Sequence, residues 1–170
     1  MARSEVFPLV AKRVGIVVDG DGDYASLRTR FHDGYKVLKT DGPRGHNAPT
    51  AEIAKKSRKQ IGILAAYGCG RVIVVLDFEE RTKNYDEFIE ELIGEFTTQS
   101  FSVPVSVAVP NKMIENWFLA DIQFLAARKG FLRDGIGQRN YEGTNGKKEL
   151  KQLMKPGLFL YRNETRTAAF

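Results

Sequence analysis

Three aspartates, Asp19, Asp21 and Asp23, fall within five residues of "GIVVDGDGDYASL" (15–27), directly behind an apolar run. Carboxylates crowded this closely repel one another, and they are tolerated mainly where a cation or a catalytic task holds them together. A second acidic pair, Asp77 and Glu79, stands in "VLDFEER" behind the apolar run "VIVVL" (72–76). A turn after a strand can direct both of its carboxylates to one ion. Such a pair suits Mg2+ or Mn2+, which bridges phosphate oxygens and lowers the pKa of an attacking water. The chain has one cysteine, Cys69, and two histidines, His32 and His46. It therefore has no internal disulfide and no ligand set for structural zinc, so any metal is expected to be a hard cation held by oxygens. Cys69 reads as a small residue ahead of a buried strand.

The elements that must position these acids alternate. "RVGIVV" (13–18) reads as a central parallel strand ended by Asp-Gly, and "YASLRTRF" as a helix that stops at Asp33-Gly34. "YKVLK" (35–39) is a second strand, leading into the loop "TDGPRGHNAP". Ile53, Ser57, Ile61 and Leu64 recur at helical spacing from Thr50 to about Tyr67, with Lys55, Lys56, Arg58 and Lys59 mainly on other faces. The strand "VIVVL" runs straight into Asp77. Asn84 with Glu87 resembles a capping box for a helix carrying Tyr85, Phe88, Ile89, Leu92, Ile93 and Phe96 on one face. "FSVPVSVAV" (101–109) reads as a strand near an edge because of Pro104. Asn111 is a candidate cap for a last long helix with Ile114, Trp117, Phe118, Ile122 and Leu125 on its apolar stripe, which makes Trp117 a core residue.

This alternation predicts a mostly parallel, four-stranded α/β sheet flanked by helices over residues 1–128. Residues 129–170 read as a basic, turn-rich extension packed on the same domain. In such a sheet the carboxyl ends of the strands share one edge, where ligands bind, so Asp19 and Asp77 are expected to meet there.

Net charge is +5, unevenly spread: residues 71–98 carry eight acids against three bases, and residues 128–166 ten bases against four acids. A basic periphery beside an acidic centre suits a polyanion brought to a metal, although solvated helix faces would give the same count. No stretch approaches the roughly 20 apolar residues of a membrane span, and the first residues lack the apolar core of a signal peptide, so a cytoplasmic protein is expected.

An acid-Gly pair after the first strand, a second acid four positions on, and an Asp-x-acid motif behind an apolar run resemble the TOPRIM fold of topoisomerases, primases and OLD-type nucleases. More closely, "DGDGDYASL", "VIVVLDFEE" and especially "IENWFLAD" (114–121) resemble an uncharacterised prokaryotic TOPRIM-related family, number 4276 among domains of unknown function, over roughly residues 13–128. The resemblance implies a metal-dependent nuclease. Asp77 and Glu79 would be metal ligands, Asp19 a ligand or general acid/base, and Asp23 and Glu115 further ligands or water-orienting groups. It also implies nucleic acid as partner, an antiviral setting with a partner protein such as an ATPase, and further chain beyond residue 170. Lys55, Lys56, Lys59, Arg81 and Lys112 are candidate phosphate contacts. Asp at 19 and Glu at 79 stand where the family usually has Glu and Asp. These exchanges either compensate around a shifted ion or mark lost catalysis, which would leave a binding module. Glu115 reads as a surface acid or an extra ligand, and Asp121 as a buried acceptor or a cap.

"DGDGDY" is not a calcium loop, because Tyr24 stands where glycine is needed and Arg30 where a bidentate glutamate is needed. "VIVVLD" lacks the phosphate loop a Walker B strand accompanies. "IVVDGDGD" also resembles a haloacid-dehalogenase-like phosphatase, in which Asp19 would be the nucleophile and Asp21 the acid/base, but "IENWFLAD" has no place there.

Overall fold

The computed structural model describes residues 13–30, 34–43, 47–128 and 130–156, without the side chains of residues 29 and 30. The helix stop expected at Asp33 and the tail "GLFLYRNETRTAAF" lie outside these residues. The elements are β1 (Arg13–Val18), α1 (Asp21–Arg30), β2 (Tyr35–Lys39), α2 (Thr50–Ala66), β3 (Cys69–Val75), α3 (Tyr85–Thr97), β4 (Val105–Ala108), α4 (Ile114–Ala120), α5 (Ile122–Ala127) and α6 (Gly146–Leu153). The strands form one all-parallel sheet in the order β2-β1-β3-β4. β1 and β3 are therefore the central pair, which is why they read as unbroken apolar runs.

Helices α2 and α3 cover one side of the sheet with most of the face their spacing marks, although Ile93 of α3 is exposed. Ile53, Ile61 and Leu64 of α2 and Phe88, Leu92 and Phe96 of α3 pack with Val17, Val72 and Val74 on one side. Ile16, Val18, Val37 and Val75 meet Leu27 and Ile114 on the other. Asn84 caps α3, its side chain accepting the N–H groups of Asp86 and Glu87. A third cluster joins Leu119, Ile122 and Leu125 to Phe131, Leu132, Tyr141, Leu150 and Met154, and Leu132 and Met154 form an antiparallel bridge. The segment after α5 is thus fastened to α4 and α5 rather than to the sheet.

Three sequence expectations are corrected. β4 is an edge strand but spans only Val105–Ala108, because the Pro104 carbonyl already marks the first rung by accepting the Val72 N–H at 2.9 Å. Asn111 does not cap a helix; Lys112 is left-handed at φ 82° and α4 begins at Ile114. The last long helix is two helices broken at Asp121 (φ −112°, ψ 60°), whose side chain accepts the Phe124 N–H at 3.1 Å and caps α5.

Gly15 sets how closely α2 approaches the sheet: a β-carbon there would sit 2.8 Å from Leu64 Cδ1 and 3.1 Å from Val72 Cγ2. Both neighbours are fully buried. Gly15→Ala is expected to destabilise the fold by about 1–3 kcal/mol through overpacking, read as a lower denaturant midpoint at unchanged slope. An unchanged midpoint would mean that α2 is not tightly seated there.

Candidate metal centre

In the order β2-β1-β3-β4 the chain leaves β1 toward one edge and β3 toward the other, so the crevice between the carboxyl ends of β1 and β3 is the switch point of the sheet. Val18 lies opposite Val75 on these adjacent strands. Asp19 follows β1 directly and Asp77 stands two residues beyond β3, which brings the two to one rim.

Local structure directs the other acids. Asp23 lies in the first turn of α1, and its side chain folds back over Gly20, where a β-carbon would collide with Asp23 Oδ2. In "DFE" the central Phe78 is buried, edge-on to the Tyr85 ring at 5.1 Å, which pins the loop between its two carboxylates. The Phe78 and Glu79 N–H groups donate to the carbonyls of Pro110 and Lys112, at 3.3 and 2.6 Å. Glu79 and Lys112 are both left-handed (φ 54° and 82°), a conformation that costs a residue bearing a β-carbon about 1–2 kcal/mol. The loops after β3 and β4 therefore hold strain next to the acidic rim. Glu115, buried in the first turn of α4, adds a carboxylate from the opposite wall. The Ile114 N–H, at the start of that helix, donates to Asp77 Oδ1 at 2.9 Å.

The electrostatics join these groups into one cluster. Burial pushes the Asp77 carboxyl up to about 9, with Asp23, Asp19 and Glu115 adding to the rise and the Ile114 N–H opposing it. Burial likewise raises Asp23 to about 7, reinforced by Asp19, Glu115 and Glu79 and opposed by Lys147. Asp19 rises to about 6, again chiefly by burial, with Glu79 adding and its own backbone hydrogen bond and Arg81 opposing. Glu79 thus lies near enough to raise Asp19 and Asp23, and Glu115 near enough to raise Asp23 and Asp77. As the side chains stand, however, among the described residues no group of three or more His, Cys, Asp or Glu side chains is disposed to hold a metal ion. The donor set is all carboxylate oxygen and short of positive charge, which fits a hard divalent cation better than a soft one. Closing on an ion would need the carboxylates to be drawn inward.

Other candidates are placed differently. Asp21, the acid/base of the phosphatase reading, is exposed and ion-paired with Lys39. Of the candidate phosphate contacts, Arg81 reaches the site: it acts on Asp19, donates to the Ala48 carbonyl at 3.1 Å and lies over the Phe88 ring at 4.3 Å. Lys112 faces Glu80 at 3.5 Å, Lys55 faces Glu52 at 3.4 Å, and Lys59 faces Asp41 at 3.1 Å, with Lys56 also acting on Asp41. Trp117 is not a core residue but 42% exposed. The face of α4 turned inward carries Glu115, Asn116 and Leu119 instead, and Trp117 falls outside it.

Sequence reading missed Asn116 and Lys147. The Asn116 amide is buried, donates to the carbonyls of Tyr141 and Thr144 at 2.6 and 3.2 Å, and ties α4 to the loop ahead of α6. Gly146 abuts it so closely that a β-carbon would lie 2.8 Å from the Asn116 nitrogen. The Lys147 N–H donates to Met113 Sδ at 3.3 Å, and its charge acts on Asp23. The only sequence signal was the turn-helix pattern "TNGKKEL", which carries no mark of where it docks.

Because Asp19, Asp23 and Asp77 hold protons more tightly in the folded chain than at their ordinary 3.8, the folded form binds excess protons above that value. Stability is therefore fully present below the unfolded pKa and is lost as pH rises through about 6, 7 and 9. In EDTA the thermal midpoint is expected to fall from about pH 5 to about pH 9, and Asp77→Asn should flatten that fall. A midpoint that holds steady or climbs over this range would show that the carboxylates do not crowd.

Comparison of the chain with protein-family models, with curated proteins and with solved structures found no match.

Proposed function

We infer that the protein is a divalent-metal-dependent phosphodiester hydrolase acting on nucleic acid, a nuclease of TOPRIM type working in the cytoplasm. The arrangement that supports this reading is the placement of Asp19 and Asp77 at the adjacent carboxyl ends of β1 and β3, with the buried Glu115 beginning the helix whose Ile114 N–H donates to Asp77. Asp77 and Glu79 would hold Mg2+ or Mn2+, with Asp23 and Glu115 as further ligands. Bound there, the ion would neutralise phosphate oxygens and acidify a water. Asp19, raised to about 6, would exchange a proton near neutral pH, and it directly follows the central strand β1. Arg81, held by the Ala48 carbonyl and the Phe88 ring, supplies a fixed cation beside Asp19 for a phosphate. Lys147 supplies a second near Asp23.

The experiment is cleavage of single- and double-stranded DNA and RNA with Mg2+ or Mn2+. Asp77→Ala and Asp19→Asn are each expected to lower the rate by about 10²–10⁴-fold while leaving nucleic-acid affinity in EDTA near that of the native chain. Equal cleavage by native and Asp77→Ala proteins would remove the reading.

A second reading, a catalytically degenerate module of the same fold that binds nucleic acid or a partner protein such as an ATPase in a defence system, is motivated by the acids at 19 and 79, where Asp and Glu stand in place of the Glu and Asp that the resemblance leads one to expect. Salt-dependent binding that persists in EDTA without turnover in either metal would select it.

A further inference from the structure

β4 ends one side of the sheet, and among the described residues no strand pairs with its outer edge. The Pro104 and Ala108 carbonyls accept the N–H groups of Val72 and Leu76 at 2.9 and 3.1 Å. Alternate residues of a parallel strand bond to the same side, so Val105 and Val107 turn their N–H and C=O groups outward. The next outward carbonyl, that of Val109, is taken by the Tyr85 hydroxyl at 2.6 Å. Val105 and Val107 have no such partner among the described residues. Sheet edges that must stay bare are usually blunted by charge, above all lysine, or by proline within the pairing stretch. Residues 96–111 carry no charge, and Pro104 stands only at the entrance to β4.

Beside this edge lies an open groove of about 670 Å³ between the last turns of α3, the loop 99–104 and β4. Ile93 lines it and is 48% exposed. Gln99 lines it too, and its buried side-chain oxygen accepts no hydrogen bond. On α3, Asp86, Glu90, Ile93 and Thr97 are all exposed, and their spacing puts them in one row. Asp86 and Glu90 pair with no cation among the described residues, since Lys83 is engaged by Glu91. Residues 84–111 hold five acids and no base. The Tyr85 bond to Val109 sets the start of α3 at the carboxyl end of β4, so the row presents its acids there and Ile93 nearer the strand's beginning.

We propose that the β4 edge takes an extended segment of another protein as a fifth strand, one with an apolar side chain against Ile93 and a lysine or arginine against Glu90 and Asp86. Main-chain pairing to Val105 and Val107 gives such a strand its affinity, and its alternate side chains give the specificity. Glu90 and Asp86 precede Ile93 by about 5 and 10 Å along the helix axis. At about 3.3 Å per residue, a base two to four positions from the apolar residue, on the same face, meets one of them. The Gln99 oxygen offers the incoming chain a further acceptor. A second copy of this chain is the poorer occupant, because its own α3 and β4 bring no base to these acids. The proposal does not rest on the hydrolase reading.

The probe is a fluorescein-labelled decapeptide, Val-Thr-Lys-Thr-Val-Thr-Lys-Thr-Val-Thr, which sets valine and lysine on one face and threonine on the other. It is titrated against the full chain at low salt, reading peptide anisotropy together with amide hydrogen exchange of the protein. In the free chain the Val105 and Val107 N–H groups should exchange faster than those of Ser106 and Ala108. With the peptide at about a hundred times its Kd they should slow about 100-fold. Glu90→Lys and Ile93→Lys should each weaken binding by about tenfold or more, as should glutamate in place of the peptide's lysines. Both variants should keep the native thermal midpoint, because both side chains are exposed. Four results would each overturn the proposal. They are no saturable binding up to about 1 mM peptide, binding that leaves Val105 and Val107 exchange unchanged, native affinity in both variants, and protection that grows with protein concentration alone, the mark of a second copy on the edge.

Discussion

The mutual repulsion of Asp19, Asp23, Asp77 and Glu115 is the constraint around which the rest of the molecule is arranged. Taken singly, each would prefer water. They are held together because β1 and β3 are adjacent central strands whose carboxyl ends open on the same crevice. Asp19 and Asp77 cannot separate without breaking the pair of strands that carries the core. The cluster keeps extra protons instead, which is the response open to buried like charges with too little countercharge. A divalent cation would serve the same end at neutral pH.

Much of the structure outside the sheet serves to close that crevice. The loops after β3 and β4 are joined by the Glu79 N–H to Lys112 carbonyl bond, with both residues in a strained conformation. This couples Asp77 to the start of α4. Asn116 then ties α4 to the loop before α6, and Gly146 permits the contact, so the C-terminal segment sets where Glu115 points and brings Lys147 to Asp23. Residues 141–147 are thereby part of the wall of the acidic site. A change at Asn116 or Gly146 would act on the carboxylates without touching them.

The strands, α2 and α3 were legible because burial imposes a period: two-sided burial for β1 and β3, and a single apolar face for the two helices. That the ends of β1 and β3 adjoin followed from the rules of parallel sheets. The misreadings share a cause. In α4 the inward face carries Glu115 and Asn116, polar residues that hydrophobic periodicity assigns to solvent, so Trp117 was read as core and the helix was read through Asp121. Asp21 was indistinguishable in sequence from Asp19 and Asp23, yet one helical position turns it out to Lys39. Lys147 and Asn116 act across long sequence separations through loops without periodicity, and a single sequence holds no signal for such docking.

The most direct test is calorimetric titration of the metal-free protein with Mn2+ near pH 7.5 in two buffers of different ionisation enthalpy. Carboxyls raised as Asp77 and Asp23 are must release protons when an ion takes their place. The account predicts binding whose apparent heat differs between the buffers, with that difference reduced in Asp77→Asn. Absence of binding, or a heat identical in both buffers, would contradict a shared cation site between β1 and β3.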